Sequence, residues 1–409
     1  MEEKALEGVK VLEFCKDVAG AFASKILADL GAEVIKIENP KTGDPLRGKG
    51  PFLRDIPHPE KSGLFLYLNT SKLGITLNPE LPSGKAIFER LARDVDVLIE
   101  DNPPGFMEKI GLGYAHLKGM NRKLIYASVT PFGQTGPYRD FKAYYLNLFH
   151  AGGEGYLTPG STYMVWEDNI DRPPLKAGNL VGEFDAGMQA AIAILGALFY
   201  QRVSGKGQHV DISRQEAMMN LYPSEPPRYF NEDGYVGSRA TQGQTLGGVF
   251  PCKDGYVALI FFEDREWHAL LRVMGREDLV ADESWNKRSR VILERREEAQ
   301  ALMLEWTLEH TKEEIYHTVQ KAGGACGMVL TPGEVVNSPQ IRARGFMQEL
   351  EHPLAGKIEY PTYPFKFSET PVKLAKPAPL LGEHNEEIYI RRLGFGKEEL
   401  VRLREAGII

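Results

Sequence analysis

Val9-Lys10-Val11-Leu12-Glu13-Phe14, residues 23–30 and Glu33-Val34-Ile35-Lys36-Ile37-Glu38 decide the fold. The first and third runs read as short buried strands. Residues 23–30 between them carry helical spacing, and Gly31 stands where a helix usually ends on glycine. Val18-Ala19-Gly20 reads as the turn after the first strand, and residues 39–44 as the turn after the second. Strand, helix and strand at this spacing predict a right-handed parallel βαβ unit, the start of a doubly wound sheet.

The pattern continues outward. Residues 74–77, 95–100 and 124–129 read as strands, with a helix over 82–93. Residues 183–202 predict a long, nearly all-apolar helix, buried on several sides. The turn Gly205-Lys206-Gly207-Gln208 leads to a strand over 209–213. Residues 1–221 are thus the first part of a Rossmann-like large domain, in an α/β protein. Residues 222–248, rich in Pro, Gly, Asn and Ser, read as a linker. A smaller α+β domain follows over 249–330, with a strand over 255–262 and helices over 267–274, 290–309 and 312–322. The proline-bearing tail, 331–409, predicts an extended strap returning to the large domain or lying on a second subunit.

The chain has 409 residues, 43% hydrophobic and 26% charged, an ordinary globular composition. A net charge of −7 gives no footprint for nucleic acid or an acidic membrane. Cys15, Cys252 and Cys326 are odd in number and far apart, so neither a disulfide framework nor a metal site follows from them. The charged start Met1-Glu2-Glu3-Lys4 predicts no signal peptide, and the longest apolar run, 190–200, has core-helix length. A cytoplasmic protein is expected. No GxGxxG follows the first strand, so nicotinamide is not expected; P-loop, HExxH and GxSxG are absent, and no metal is expected.

A succession of segments then carries a resemblance. These are Leu27-Ala28-Asp29-Leu30-Gly31-Ala32 running into the second strand, Gly43-Asp44 with Arg47, Asn69 with Lys72, and Gly111-Leu112-Gly113-Tyr114. Phe132-Gly133-Gln134-Thr135-Gly136-Pro137, the glycine turn before Val210-Asp211, Lys253-Asp254-Gly255-Tyr256 and Pro379-Leu380-Leu381-Gly382-Glu383-His384 complete the series. Together the series resembles the class III CoA-transferases, the CaiB/BaiF-like family of formyl-CoA and carnitine CoA-transferases. The resemblance implies a Rossmann-like domain, a smaller domain and an interlocked dimer. It also implies CoA transfer between acids by a carboxylate nucleophile at the start of the long helix, through a mixed anhydride and an enzyme–CoA thioester. CoA is then a substrate, delivered by an acyl-CoA such as succinyl-CoA.

The resemblance places the nucleophile at Glu183, where the family carries aspartate. Glutamate has the same functional group on a longer arm; read simply as a residue, it is also a charge suited to a helix N-terminus. Val18, Asn69, Lys72, Lys109, Lys142 and Tyr144 fall at CoA-binding positions, and Gly247-Gly248 at a lid position ahead of a strand. The segment Asp101-Asn102-Pro103 departs from the family, since Asp101 would repel a phosphate. Tyr145 also stands where most members are acidic. The racemase branch needs a histidine at Tyr144, and tyrosine is a poor neutral-pH base, so racemisation is not expected. Two functions stand. The chain is a working CoA-transferase subunit, or a silent structural subunit in a heterodimer whose homologous partner carries the aspartate. Split pairs of that kind act on aryl- or alkylsuccinates in anaerobic degradation.

Overall fold

Strand β1 (Lys10–Phe14) has four of its five residues buried. Helix α1 (Val18–Asp29) carries the chain over to β2 (Glu33–Glu38), which pairs with β1 in parallel. Beyond them lie β3 (Leu73–Thr76), β4 (Val97–Glu100), β5 (Ile125–Thr130) and β6 (His209–Ser213). The spatial order is β3-β2-β1-β4-β5-β6, with every pairing parallel. The order reverses between β1 and β4, and in such sheets the crevice at the carboxyl ends of those two strands receives ligands. Successive side chains alternate between two covered faces. Val11, Val97, Ile99 and Ala127 pack with α1 on one side, and Leu12, Ile35 and Leu98 pack with Phe88 and Tyr389 on the other. Covering on both faces explains the apolar strand runs.

This computed structural model describes residues 3–158, 173–221, 223, 225–231, 233 and 246–409. The chain divides into two compact units. The first joins Met1–Gly153, Ala177–Leu221 and Pro339–Ile409, and the second joins Glu154–Lys176 with Tyr222–Ser338.

Within the first unit, α1 begins at Val18 rather than after Gly20. Asp17 is its cap: Oδ1 accepts the Val18 N–H at 2.9 Å. Gly20 is a packing residue and no breaker, because a Cβ there would lie 2.5 Å from Cys15 Sγ. The long helix (Val181–Ser204) lies against α1, and Gly187 permits the approach: a Cβ would meet the Ala19 carbonyl oxygen at 2.6 Å. One turn earlier on the same face stands Glu183. The predicted burial on several sides is only partly present. Ala186, Ala190, Ile194 and Ala197 are buried, whereas Ile192, Phe199 and Val203 are 63%, 73% and 76% exposed.

The tail is more structured than an extended strap. It forms a hairpin of β10 (Met347–His352) with β11 (Gly356–Pro361), then helices Glu386–Arg392 and Lys397–Glu405. It binds the sheet edge directly: Tyr389 Oη donates to the Thr76 carbonyl at 2.6 Å, and Arg47 Nη2 donates to the Pro379 carbonyl at 3.0 Å.

The second unit carries an antiparallel sheet of β7 (Leu246–Cys252), β8 (Gly255–Phe261) and β9 (Cys326–Met328). Trp267, Val291 and Met303 pack on it. The helix expected over 290–309 is two, Arg288–Glu294 and Arg296–Leu308, separated where Arg295 leaves helical geometry. Much of the 222–248 segment read as a linker lies outside the described residues; within it Glu225–Asn231 is helical and 246–248 open β7.

Candidate active site

Four charged side chains converge at the carboxyl edge of the six-stranded sheet, each delivered by a different element. Asp17 follows β1, Asp101 follows β4, Arg214 follows β6, and Glu183 sits in the first turn of the long helix. Ser213 caps the short helix Arg214–Met219, its Oγ accepting the Glu216 N–H at 3.3 Å, and so fixes where Arg214 emerges. Gly182, just before Glu183, leaves room for Met218 of that same helix; a Cβ there would meet Met218 Cγ at 2.9 Å. The long helix and the arginine-bearing helix are thereby locked together.

Arg214 Nη1 donates to both oxygens of Glu183, at 3.1 and 3.0 Å, and to Asp17 Oδ2 at 2.6 Å. Glu183 is 2% exposed and Arg214 is 5% exposed. Burial pushes the Glu183 carboxyl up to about 7, against the pull of Arg214. Burial would raise Asp17 as well, but Arg214 outweighs it and holds that carboxyl below its ordinary range. Arg214 Nε has no hydrogen-bond partner among the described residues.

Asp101 closes the crevice between β1 and β4. Its carboxylate accepts the backbone N–H groups of Lys16, at 2.9 and 3.0 Å, and of Asp17, at 2.7 Å. Burial first, and the Asp17 charge second, push Asp101 up to about 8. In a dinucleotide-binding sheet these amides would face the ligand; here a side chain of the protein itself holds two of them. The Val18 N–H is likewise taken by its own cap.

A family model for CoA-transferase family III matches residues 6–385. The chain belongs to CoA-transferase family III. It is 33% identical to the formyl-CoA:oxalate CoA-transferase of Streptomyces coelicolor, over all of both chains. Identity to the formyl-CoA:oxalate CoA-transferase of Rhodopseudomonas palustris is 31%, over 99% of this chain and 97% of that one. Among solved structures, a CaiB/BaiF family protein from Brucella suis matches with a TM-score of 0.82 and 28% identity, covering 95% of this chain and 100% of that one. The family makes the chain a transferase of the class III type, and CoA thioesters are the substrates of that class.

Within this CoA-transferase fold, the residues singled out in the sequence are not all in one place. Lys72 is fully buried, and its amino group donates to Glu13 Oε2 at 2.8 Å, Asn69 Oδ1 at 2.9 Å and the Ala21 carbonyl at 2.9 Å. An ammonium has three donors and all three are used, so Lys72 and Asn69 hold the inside of the sheet edge and offer nothing to a phosphate. Lys36 completes that network, bridging Glu13 and Asp44 at 2.8 and 2.6 Å. Val18 is buried, 2% exposed. Lys109, by contrast, is exposed at the end of the single turn Phe106–Lys109. Lys142 and Tyr144 are exposed before the helix Tyr145–Ala151, with Tyr144 78% exposed. Gly247 and Gly248 belong to the second unit and lie inside β7, not ahead of a strand. Gly247 has φ +121°, and a Cβ would stand 2.1 Å from the Leu259 carbonyl oxygen of the paired strand. Asp185 points elsewhere than Glu183: half-buried, it accepts from Gln189 Nε2 at 2.7 Å.

Asp17 and Arg214 cluster with Glu183, and neither stood out in the sequence. Asp17 could have been found as a capping residue directly before an apolar helix. Arg214 had one signal, a cation immediately beyond the carboxyl end of a parallel strand.

Proposed function

We propose that the chain passes CoA from an acyl-CoA of the succinyl-CoA type to a carboxylic acid, and that Glu183 is the carboxylate through which CoA moves. The observation that carries this reading is a buried carboxylate at the switch-point edge, its proton affinity raised to about 7, with a buried guanidinium against it. A desolvated carboxylate set against a specific charge partner in a crevice is the environment in which reacting carboxylates are found.

The reaction balances without any further reactant. A Glu183 oxygen attacks the thioester carbonyl carbon, the C–S bond breaks, and CoA thiolate leaves a mixed anhydride. The thiolate attacks Glu183 Cδ, expels the first acid as a carboxylate, and leaves a glutamyl–CoA thioester. The acceptor carboxylate attacks that carbon and releases the thiolate, which takes the acceptor's carbonyl and frees Glu183. One thioester replaces another. Arg214, with its unpartnered Nε, supplies a fixed positive donor for the tetrahedral oxyanions. The relatives named for formyl-CoA and oxalate support small acids as substrates. Exposed Lys109, Lys142 and Tyr144 are the surface groups proposed to meet CoA. An interlocked cytoplasmic dimer accompanies the reading, a second chain covering Ile192, Phe199 and Val203.

A second reading rests on the same ion pair. Arg214 holds both Glu183 oxygens, and Asp101 fills the amides of the crevice, which is how a silent subunit beside a competent homologous partner would look. Borohydride reduction of the isolated chain after exposure to succinyl-CoA separates the two. Reduction of Glu183 to the alcohol supports the working enzyme; an unmodified Glu183, with activity only after a homologous subunit is added, supports the silent one.

A further inference from the structure

The ion pair has a third member whose purpose the reaction itself explains. Glu183 loses its negative charge whenever it is an anhydride or a thioester. Arg214, 5% exposed, would then be a buried cation without a counter-ion, a costly state. Asp17 Oδ2 lies 2.6 Å from the same Nη1 that serves Glu183, and its side chain is 38% exposed. We propose that Asp17 is a positioning residue that keeps Arg214 paired while Glu183 is covalently occupied. This rests on the reading of Glu183 as nucleophile.

The geometry fits that task. Asp17 is fixed by its own role as the cap of α1, and its backbone N–H is held by Asp101 at 2.7 Å, so it cannot follow Glu183 into the reaction. It sits on the wetter side of the arginine and remains ionised, because Arg214 holds its carboxyl below the ordinary range. In the resting enzyme one cation serves two carboxylates, and in the covalent enzyme it serves one. The formation of the thioester thus leaves Arg214 with a counter-ion.

Two measurements test this. Intact mass at saturating succinyl-CoA gives the ratio of Glu183 thioester to free enzyme in the native chain, Asp17→Asn and Asp17→Glu. Asp17→Asn is expected to lower that ratio at least about tenfold, the scale of a hydrogen bond to a charged group, and Asp17→Glu to restore most of it. A native chain that forms the thioester while Asp17→Asn forms it equally well overturns the inference alone. A native chain that never forms it overturns the reading of Glu183 and takes the inference with it. Thermal unfolding of Asp17→Asn, Glu183→Gln and the double variant needs no turnover. Either single change leaves Arg214 one anion and the double leaves none, so the double is expected to lose more than the sum. Simple additivity overturns the proposal.

Discussion

Nη1 of Arg214 stands 3.0 Å from Oε2 and 3.1 Å from Oε1 of Glu183, so one nitrogen governs both oxygens of the carboxylate. Glu183 is nonetheless harder to ionise than a free glutamate, because burial raises its carboxyl from 4.5 to about 7. Nucleophilic attack needs the ionised form. Labelling of Glu183 by an acyl-CoA is therefore expected to rise about tenfold per pH unit below neutrality and to level off above about 7. Single-turnover rates across pH check this; a midpoint near 4.5 would mean the carboxylate reacts from an open, solvated position.

The same shift appears in stability, with a defined sign. Between 4.5 and about 7 the folded chain holds the Glu183 proton that the unfolded chain releases. The contribution is complete below 4.5 and is lost as pH rises through about 7. Native protein is expected to lose stability relative to Glu183→Gln across that window, in paired denaturant titrations at each pH.

Removing the arginine moves the reaction's pH dependence. Arg214 opposes the burial effect on Glu183, so Arg214→Met is expected to push the labelling midpoint above 7. Comparison of the two labelling profiles checks it, with thermal unfolding confirming a folded variant.

Glu13 is the hinge of the buried network at the sheet edge, pairing Lys36 and Lys72 at 2.8 Å each. Burial lowers the Lys72 amino group to about 8 even with Glu13 beside it. Glu13→Gln leaves Lys72 without its carboxylate partner and Lys36 with Asp44 alone, and is expected to destabilise the first unit by about 3–5 kcal/mol, read from urea unfolding.

Much of the fold was written in periodicity. The β1–α1–β2 unit, the helix over 82–93 and the long helix came from apolar spacing, and the parallel pairing of β1 with β2 followed from such a unit. The misreadings have physical causes. Gly20 resembles a breaker in a string of letters, but in space it makes room for Cys15 Sγ. The prolines of the tail suggested an extended strap, and they do keep the chain irregular between β11 and the helix Glu386–Arg392; the hairpin and helices on either side obey their own patterns. Glu183 was singled out by resemblance, and the structure buries it against Arg214; the residues that surround it were not legible. Lys72 and Asn69 were placed by resemblance at a ligand, while the charges inside the strands, Glu13 and Lys36, were the sign that Lys72 had partners at home. Arg214 lies 31 residues beyond Glu183 and meets it only once β6 and the long helix share an edge.

The central claim is that CoA passes through the side chain of Glu183, and oxygen labelling reads that passage directly. With an acceptor acid carrying oxygen-18 in its carboxylate, attack on the glutamyl thioester and return of the thiolate leave one heavy oxygen on Glu183. Mass spectrometry of the Glu183 peptide after turnover by the isolated chain should show that label. Turnover by the isolated chain with an unlabelled Glu183 would contradict the account.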